Sequence, residues 1–193
     1  MNSIKWLIIL AALSLIGFQA KAQVFTKYQS TETSTVSVTG TSTLHNWSEK
    51  LKKFDVSFLS NESGTQTIVV KDVQFKAQVG NLESESSLMS DKTFTALKKA
   101  KYPLISFVSD QETTMSLSGD KFSGKVSGKL TVAGTTKEVL IPIEGTLENG
   151  AIAISCVYPI SMSDYGIKPP TALFGSIKSG NDIQVHFNLK FNK

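Results

Sequence analysis

The sequence contains few of the residues from which metal sites, disulfides and nucleophilic active sites are built. Its 193 residues include one cysteine and two histidines. A single cysteine excludes an internal disulfide, and two histidines without further ligands at metal-binding spacing argue against a metal site. No nucleophile stands with a base and an orienting partner, so we expect a protein that is not an enzyme. We likewise expect no cofactor.

The sequence also lacks a strong excess of charge. Its formal net charge is +4, which falls to +2 if Lys5 and Lys21 are removed with an N-terminal leader. The lysines are scattered except for short runs near residues 50 and 99, and such runs are typical of solvated faces. We therefore expect no nucleic-acid partner.

Long apolar runs are absent except at the N-terminus. The uncharged run 6–18 follows Lys5 and precedes Ala20-Lys21-Ala22. A basic start, about 7–15 apolar residues and an A-x-A site form the pattern of a secretory signal peptide, whereas a membrane-spanning helix needs about 20 apolar residues. We expect residues 1–22 to be a signal peptide cleaved after Ala22. The mature domain is then 23–193, periplasmic or secreted, with no stable transmembrane insertion.

Alternation of apolar and polar residues recurs along the rest of the chain. It is clearest near the C-terminus, where the apolar residues are Ile183, Val185, Phe187, Leu189 and Phe191. This period of two predicts half-buried strands. Turn sequences separate the runs, among them 133–136 and 148–150. About eight strands joined by such turns predict an antiparallel barrel or sandwich.

Two features of the apolar faces bear on the interior. Gly124 and Gly128 lie on the apolar face of one predicted strand, where glycine either relieves crowding at a bend or leaves room for something inside. Cys156 lies within the apolar stretch 152–158. We interpret it as a buried, inert thiol, because nothing nearby in the sequence would lower its pKa.

One segment departs from the β pattern and predicts a short helix. Ser90 is a suitable cap for a helix that begins at 91–93, and Tyr102-Pro103 ends it. Asp91 near the start suits the helix dipole, as do the lysines at the end. The residues at helical spacing are Phe94, Leu97 and Lys101.

Four segments, taken in order, resemble the YceI family of exported, lipocalin-like barrels. The second and third are similar to the family patterns F…yP.i.F and G.LTi.G.tk.v. The resemblance implies an all-β fold: an antiparallel, about eight-stranded lipocalin-like barrel with one short helical insertion. The four segments are 42–47 (STLHNW), 101–107 (KYPLISF), 128–139 (GKLTVAGTTKEV) and 164–167 (DYGI).

The YceI family is associated with polyisoprenoid binding, and the resemblance therefore implies a function. The protein would be exported and would hold a long apolar chain, of the polyisoprenoid or quinone type, inside its barrel. An eight-stranded barrel can be filled by side chains or can hold one small ligand. Residue types alone favour the filled core, whereas the resemblance favours the ligand. The alternative is a stress-related scaffold or interaction protein with a packed barrel and no ligand. The sequence leaves a homodimer open.

The lipid hypothesis predicts three sets of ligand-binding residues. Residues of the apolar strand faces are Phe58, Phe75, Phe107, Val126, Ile141, Ile154, Tyr158 and Phe187. Residues in and after the helix are Phe94, Leu97 and Tyr102, which can equally plug the barrel end as core. His45 and Trp47 can mark the barrel mouth, and Tyr165, in a polar loop, could bind a quinone or phosphate head. His45 and Trp47 can equally be structural aromatics at a turn, and Tyr165 can lie in an ordinary loop.

Overall fold

A computed structural model describes residues 24–61, 66–148 and 150–192. The predicted signal peptide lies outside these residues, and so do most of the turn at 61–64 and Asn149. Within the described ranges, no helix is long and apolar enough to cross a membrane.

The described chain is almost entirely β-structure. The strands are β1 (Thr26–Ser30), β2 (Thr35–Ser42), β3 (Trp47–Leu51), β4 (Asp55–Asn61), β5 (Thr67–Gln78), β6 (Leu82–Ser84), β7 (Leu104–Ser109), β8 (Thr113–Ser118), β9 (Lys121–Val132), β10 (Thr135–Glu148), β11 (Ala151–Ser161), β12 (Thr171–Ala172) and β13 (Ile177–Asn192). The helix α1 is Ser87–Ala96, and short 3₁₀ turns cover Val79–Asn81, Met162–Tyr165 and Leu173–Gly175.

Several of these strands are halves of one longer, bent strand. β1 and β2 together pair with β4 and β3 in a nearly continuous register, from Thr26 opposite Ser60 to Gly40 opposite Trp47. β5 with β6, and β7 with β8, pair with their neighbours in the same way. The barrel therefore has eight long strands: β1/β2, β3/β4, β5/β6, β7/β8, β9, β10, β11 and β13.

The eight long strands form a closed ring. Each pairs antiparallel with the next along the chain, and the last returns to the first. Phe187 of β13 lies opposite Val36 of β2, and Phe191 lies opposite Ser30 of β1. Among the long strands that the structure describes, closure leaves no free sheet edge. The predicted fold is confirmed: an all-β, antiparallel, lipocalin-like barrel of about eight strands with one helical insertion.

Most successive strands are joined by short turns because neighbours in the ring are also neighbours in sequence, and the long connections are 85–103, with α1, and 162–176, with β12. The turn between β9 and β10 has two central residues, Ala133 (φ 51°) and Gly134 (φ 82°). Positive φ at both positions is the signature of a type I′ turn, whose twist matches that of the flanking strands.

The predicted start of the helix is wrong. Ser86 is the N-cap, and its side chain accepts a hydrogen bond from the Met89 N–H. Ser90 lies inside α1, where its hydroxyl accepts a hydrogen bond from the Ser84 N–H at 3.0 Å. Serine caps a helix well at any of these positions. Ser90 does not cap the helix because its hydroxyl instead accepts the hydrogen bond from Ser84 at the end of β6.

The predicted end of the helix is also wrong. The chain leaves α1 at the C-cap Leu97, and Lys98 has a positive φ of 55°. The first turn of α1 contains no acidic residue, and its last turn contains no basic residue. The dipole argument from Asp91 and the lysines therefore does not apply to this helix.

One end of the barrel is solid. The Tyr28 and Phe58 rings stack with centroids 5.2 Å apart, and Phe58 meets Phe191 edge-on at 4.9 Å. Tyr28, Phe191 and Ile152 are at most 1% exposed. Aromatic packing of this kind closes the barrel where β1, β4 and β13 meet.

We predict that Phe58→Ala lowers the free energy of unfolding by about 3–5 kcal/mol, because it leaves a cavity between Tyr28 and Phe191. Urea denaturation of the full chain measures this loss. The control is Val157→Thr at an exposed position of β11, which should change stability by about 0.5 kcal/mol or less. A Phe58→Ala loss no larger than the control's would contradict the aromatic plug.

Candidate ligand cavity

The barrel encloses a cavity of about 400 Å³ beyond its solid end. This volume lies in the range of about 300–1,000 Å³ that is typical of ligand pockets. Every one of the eight long strands contributes lining residues, nearly all of them apolar. Ile141, Ile154 and Val185 face the cavity and are only half-buried. Their partial exposure inside a closed ring shows that side chains do not fill this part of the interior.

Helix α1 lies across the open end of the cavity. Met89, Thr93 and Ala96 of α1 line the cavity together with Pro170 and Ala172. The Lys92 Nζ donates a hydrogen bond to the Thr171 carbonyl at 2.8 Å and so connects α1 to β12. The helix thus serves as a cover for the mouth.

The rim of the mouth exposes large apolar side chains. Leu44 is 67% exposed and lines the cavity. Leu173 and Phe174, which directly follow the lining residue Ala172, are also exposed. The entrance is therefore apolar on its outer surface as well as inside.

Most of the sequence-predicted site residues do line the cavity. They are Phe58, Phe75, Leu97, Phe107, Val126, Ile141, Ile154, Tyr158, Phe187, Trp47 and His45. Their placement brings eleven predicted residues to one surface. Their role in binding a ligand stays a prediction.

Three predicted site residues are not part of the cavity lining. Phe94 packs against the core and carries the Lys99 ammonium 4.0 Å from its ring centroid. The Tyr102 ring lies against Gly134 of the β9–β10 turn. Tyr165 is 3% exposed. The structure does not bring these three side chains to the cavity surface, and their role in binding stays a prediction.

Tyr165 is held in its neutral form by its surroundings. Burial raises the pKa of its hydroxyl to about 12, and the neighbouring Tyr158 and Asp164 add to this shift. A phenol with this pKa is a poor proton acceptor or nucleophile near neutral pH. The Tyr165 hydroxyl therefore stays protonated near neutral pH.

Trp47 and His45 differ in how they are held. Trp47 begins β3, and its Nε1–H donates to the Thr41 carbonyl at 2.9 Å. His45 precedes the strand, and its Nδ1 lies 2.6 Å from the Asn46 carbonyl oxygen. Trp47 is thus a fixed part of the wall, whereas His45 belongs to the loop at the rim.

Glycines let large side chains lie flat along the wall. A Cβ on Gly128 would lie 2.6 Å from the Phe107 ring and 2.4 Å from the Val108 carbonyl oxygen. A Cβ on Gly40 would likewise meet the Trp47 ring at 2.3 Å. The space left by Gly128 is occupied by the protein's own Phe107. Because that ring lies over the backbone, it does not project across the cavity.

We predict that Gly128→Ala destabilises the protein by about 1–3 kcal/mol, because the new methyl group displaces Phe107 and strains β7. Thermal or urea unfolding measures the effect. The matched control is Gly80→Ala, where a Cβ would meet only the flexible end of Lys99 at 3.1 Å. That variant should stay within about 1 kcal/mol of the wild type. Equal effects at the two glycines would disprove the wall-packing role of Gly128.

Cys156 lines the cavity and is buried, as the sequence predicted. Burial raises the pKa of its thiol above the ordinary value, and the charge of Glu144 adds to the increase. The thiolate is the reactive form, so this environment suppresses its reactivity at neutral pH.

We predict that alkylation of Cys156 by iodoacetamide is slow at neutral pH and that its rate is still rising above pH 9.0, the ordinary thiol value. The sign follows because a raised pKa moves thiolate formation to higher pH. Mass spectrometry reports the reaction at this single cysteine. Urea-unfolded protein is the control and should react with an ordinary profile. A folded-state rate that levels off below pH 9.0 would contradict this prediction.

Sequence reasoning missed one polar residue of the interior, Glu49. It is 4% exposed and lines the cavity. The signal was present, because alternation in β3 places Glu49 on the same face as Trp47 and Leu51. A glutamate between two polar neighbours, Ser48 and Lys50, nevertheless reads as a solvated residue.

Among the described residues, no group of three or more His, Cys, Asp or Glu side chains is arranged to hold a metal ion. The chemistry available in the cavity is that of an apolar wall with a few polar groups near α1.

A closed antiparallel barrel with an apolar cavity defines the class as lipocalin-like. The sequence model of the YceI-like domain family matches residues 19–191 of this chain. The chain therefore belongs to the YceI family.

Solved structures show the same fold at low sequence identity. BcnA of Burkholderia cenocepacia has a TM-score of 0.63 and 19% identity, covering 81% of this chain and 95% of its own. A polyisoprenoid-binding domain from Saccharophagus degradans has a TM-score of 0.64 and 12% identity, covering 86% and 97%. The YceI protein of Campylobacter jejuni has a TM-score of 0.58 and 17% identity, covering 75% and 84%. No curated protein matches the chain in sequence.

Proposed function

We propose that this protein is an exported carrier that holds a long apolar lipid, of the polyisoprenoid or quinone type, inside its barrel and catalyses no reaction. The observation that carries the proposal is the apolar cavity of about 400 Å³ within a closed ring. Membership of the YceI family and the fold shared with a polyisoprenoid-binding domain support it. The N-terminal leader pattern supports export.

The alternative of a packed scaffold without ligand needs a filled interior. Half-buried side chains such as Ile141 and Ile154 face an open volume instead. An apolar cavity of this size is costly to leave unfilled, because its lining atoms lose packing contacts. The carrier function explains why the interior is hollow, whereas a scaffold does not require it.

Binding energetics favour a long ligand. Each buried methylene contributes about 0.8 kcal/mol, so one five-carbon isoprene unit contributes about 3–4 kcal/mol. Association costs about 4–15 kcal/mol. One or two units would barely bind, and useful affinity requires several.

The direct test of the function is native mass spectrometry of the protein purified from its own host, followed by organic extraction. The expected result is a co-purifying apolar molecule that organic solvent removes. Consistently unliganded protein that also fails to take up added lipid would overturn the proposal.

We predict that affinity rises by about tenfold or more for each added isoprene unit across prenyl alcohols of ten, fifteen and twenty carbons. Quenching of the cavity-facing Trp47 measures binding, and Trp47→Phe shows how much of the fluorescence change comes from this residue. Affinity that does not change with chain length would contradict the carrier proposal.

Two variants of β11 control for the location of binding. Ile154→Trp fills the cavity and should weaken binding of the twenty-carbon alcohol by about tenfold or more. Val157→Trp lies on the exposed outer side of the same strand and should leave it unchanged. Native mass spectrometry measures both, because the new tryptophans would disturb a fluorescence titration.

A further inference from the structure

Only one oxygen of the Glu49 carboxylate accepts hydrogen bonds from the described residues. Ser84 of β6 and Thr93 of α1 both donate hydrogen bonds to the same oxygen, Oε1, each at 2.5 Å. None of the described residues donates a hydrogen bond to the other oxygen, Oε2. The side chain belongs to a residue that is 4% exposed and lines the cavity.

Glu49 also lacks a counter-ion in the part of the chain that the structure describes. The ion pairs there are Lys52 with Glu83 and Lys137 with Asp164, all at the surface. Lys92 lines the cavity, but its ammonium donates to the Thr171 carbonyl. A buried carboxylate is costly unless it is paired or fully hydrogen-bonded. Oε2 is not among the fully buried unpaired atoms of the described residues, so it is accessible from the cavity, where water or the polar end of an occupant can donate to it.

We propose that Glu49 recognises the polar end of the bound lipid, and that this end is a hydrogen-bond donor without negative charge: an alcohol, an amide or an amine. An ionised carboxylate only accepts hydrogen bonds, so it selects a donor. An anionic end such as a phosphate would meet like charge in a water-poor site, where repulsion is strong. This inference rests on the proposed function and adds the chemical class of the ligand's head.

The position of Glu49 sets the orientation of the ligand. The carboxylate is bonded to Thr93 of the covering helix α1, at the end of the barrel opposite the plug of Tyr28, Phe58 and Phe191. The polar end would therefore lie under α1, and the apolar chain would extend toward the aromatic plug.

The rival arrangement is an anionic head held by Lys92. That lysine lies on the same helix as Thr93 and also lines the cavity. The two arrangements predict opposite preferences for charge, so ligands that share one chain and differ only in the head separate them.

The experiment uses the full-length wild-type protein and four ligands with one twenty-carbon prenyl chain: the alcohol, the amine, the methyl ether and the monophosphate. We expect the alcohol and the amine to bind about tenfold or more tightly than the ether and the phosphate. Competition against one fluorescent apolar probe gives the four affinities on one scale.

A matched pair of variants attributes the preference to Glu49. Glu49→Gln keeps an oxygen acceptor for Ser84 and Thr93 but removes the charge, so amine binding should weaken and rejection of the phosphate should be relieved. Glu83→Gln makes the same charge change at an exposed position of β6. It should leave all four affinities as in the wild type. Thermal unfolding verifies that both variants fold. If Glu49→Gln does not fold, the four affinities of the wild-type protein alone test whether the site prefers an uncharged or cationic donor.

Three outcomes overturn the inference. Equal binding of all four ligands leaves the carrier function standing but removes the head recognition. Tightest binding of the phosphate assigns the head to Lys92 instead. Absence of binding by all four ligands removes the carrier function together with the inference.

Discussion

Ring closure is the constraint on which the rest of this structure depends. β13 is long enough to pair with β11 along one edge and with both β1 and β2 along the other. Each long strand thereby finds hydrogen-bond partners on both sides, so the ring has no unpaired edge. Eight strands also fix the width of the interior, which is wide enough for one layer of side chains or one small ligand. At each level along its axis, the interior is therefore either filled by side chains or open to a ligand.

The size and placement of the inward-facing side chains determine where along the barrel axis the interior is packed and where it is open. At one end, Tyr28, Phe58 and Phe191 meet in the middle and leave no space. Elsewhere, aliphatic and aromatic residues line the wall around an open volume, and Phe107 lies against Gly128. Large aromatic rings therefore plug the barrel where they point across it and leave it open where a glycine lets them lie along it. The depth of the cavity follows from these local packing arrangements.

The sequence predicts the local features well, because they depend on local physics. Alternation reveals the strands, and Ala133-Gly134 reveals a tight turn. The helix boundary fails, since Ser86 and Ser90 are equally good caps and only the contact of Ser90 with Ser84 distinguishes them. A hollow interior is equally invisible, because residue type does not say whether opposite walls touch.

Glu49 shows why the remaining site could not be predicted and also what it contributes. Alternation in β3 places it on the inward face with Leu51, but its charge and its polar neighbours are typical of a solvated position, and the sequence does not show its contact with Thr93 of α1. A barrel that only stored apolar chains would be more stable with an aliphatic residue there, because burying a carboxylate costs free energy. Tying α1 to β6 explains one oxygen, since Ser84 and Thr93 share Oε1. The second oxygen takes no part in that connection and stays accessible from the cavity, which is the basis of the head recognition proposed above.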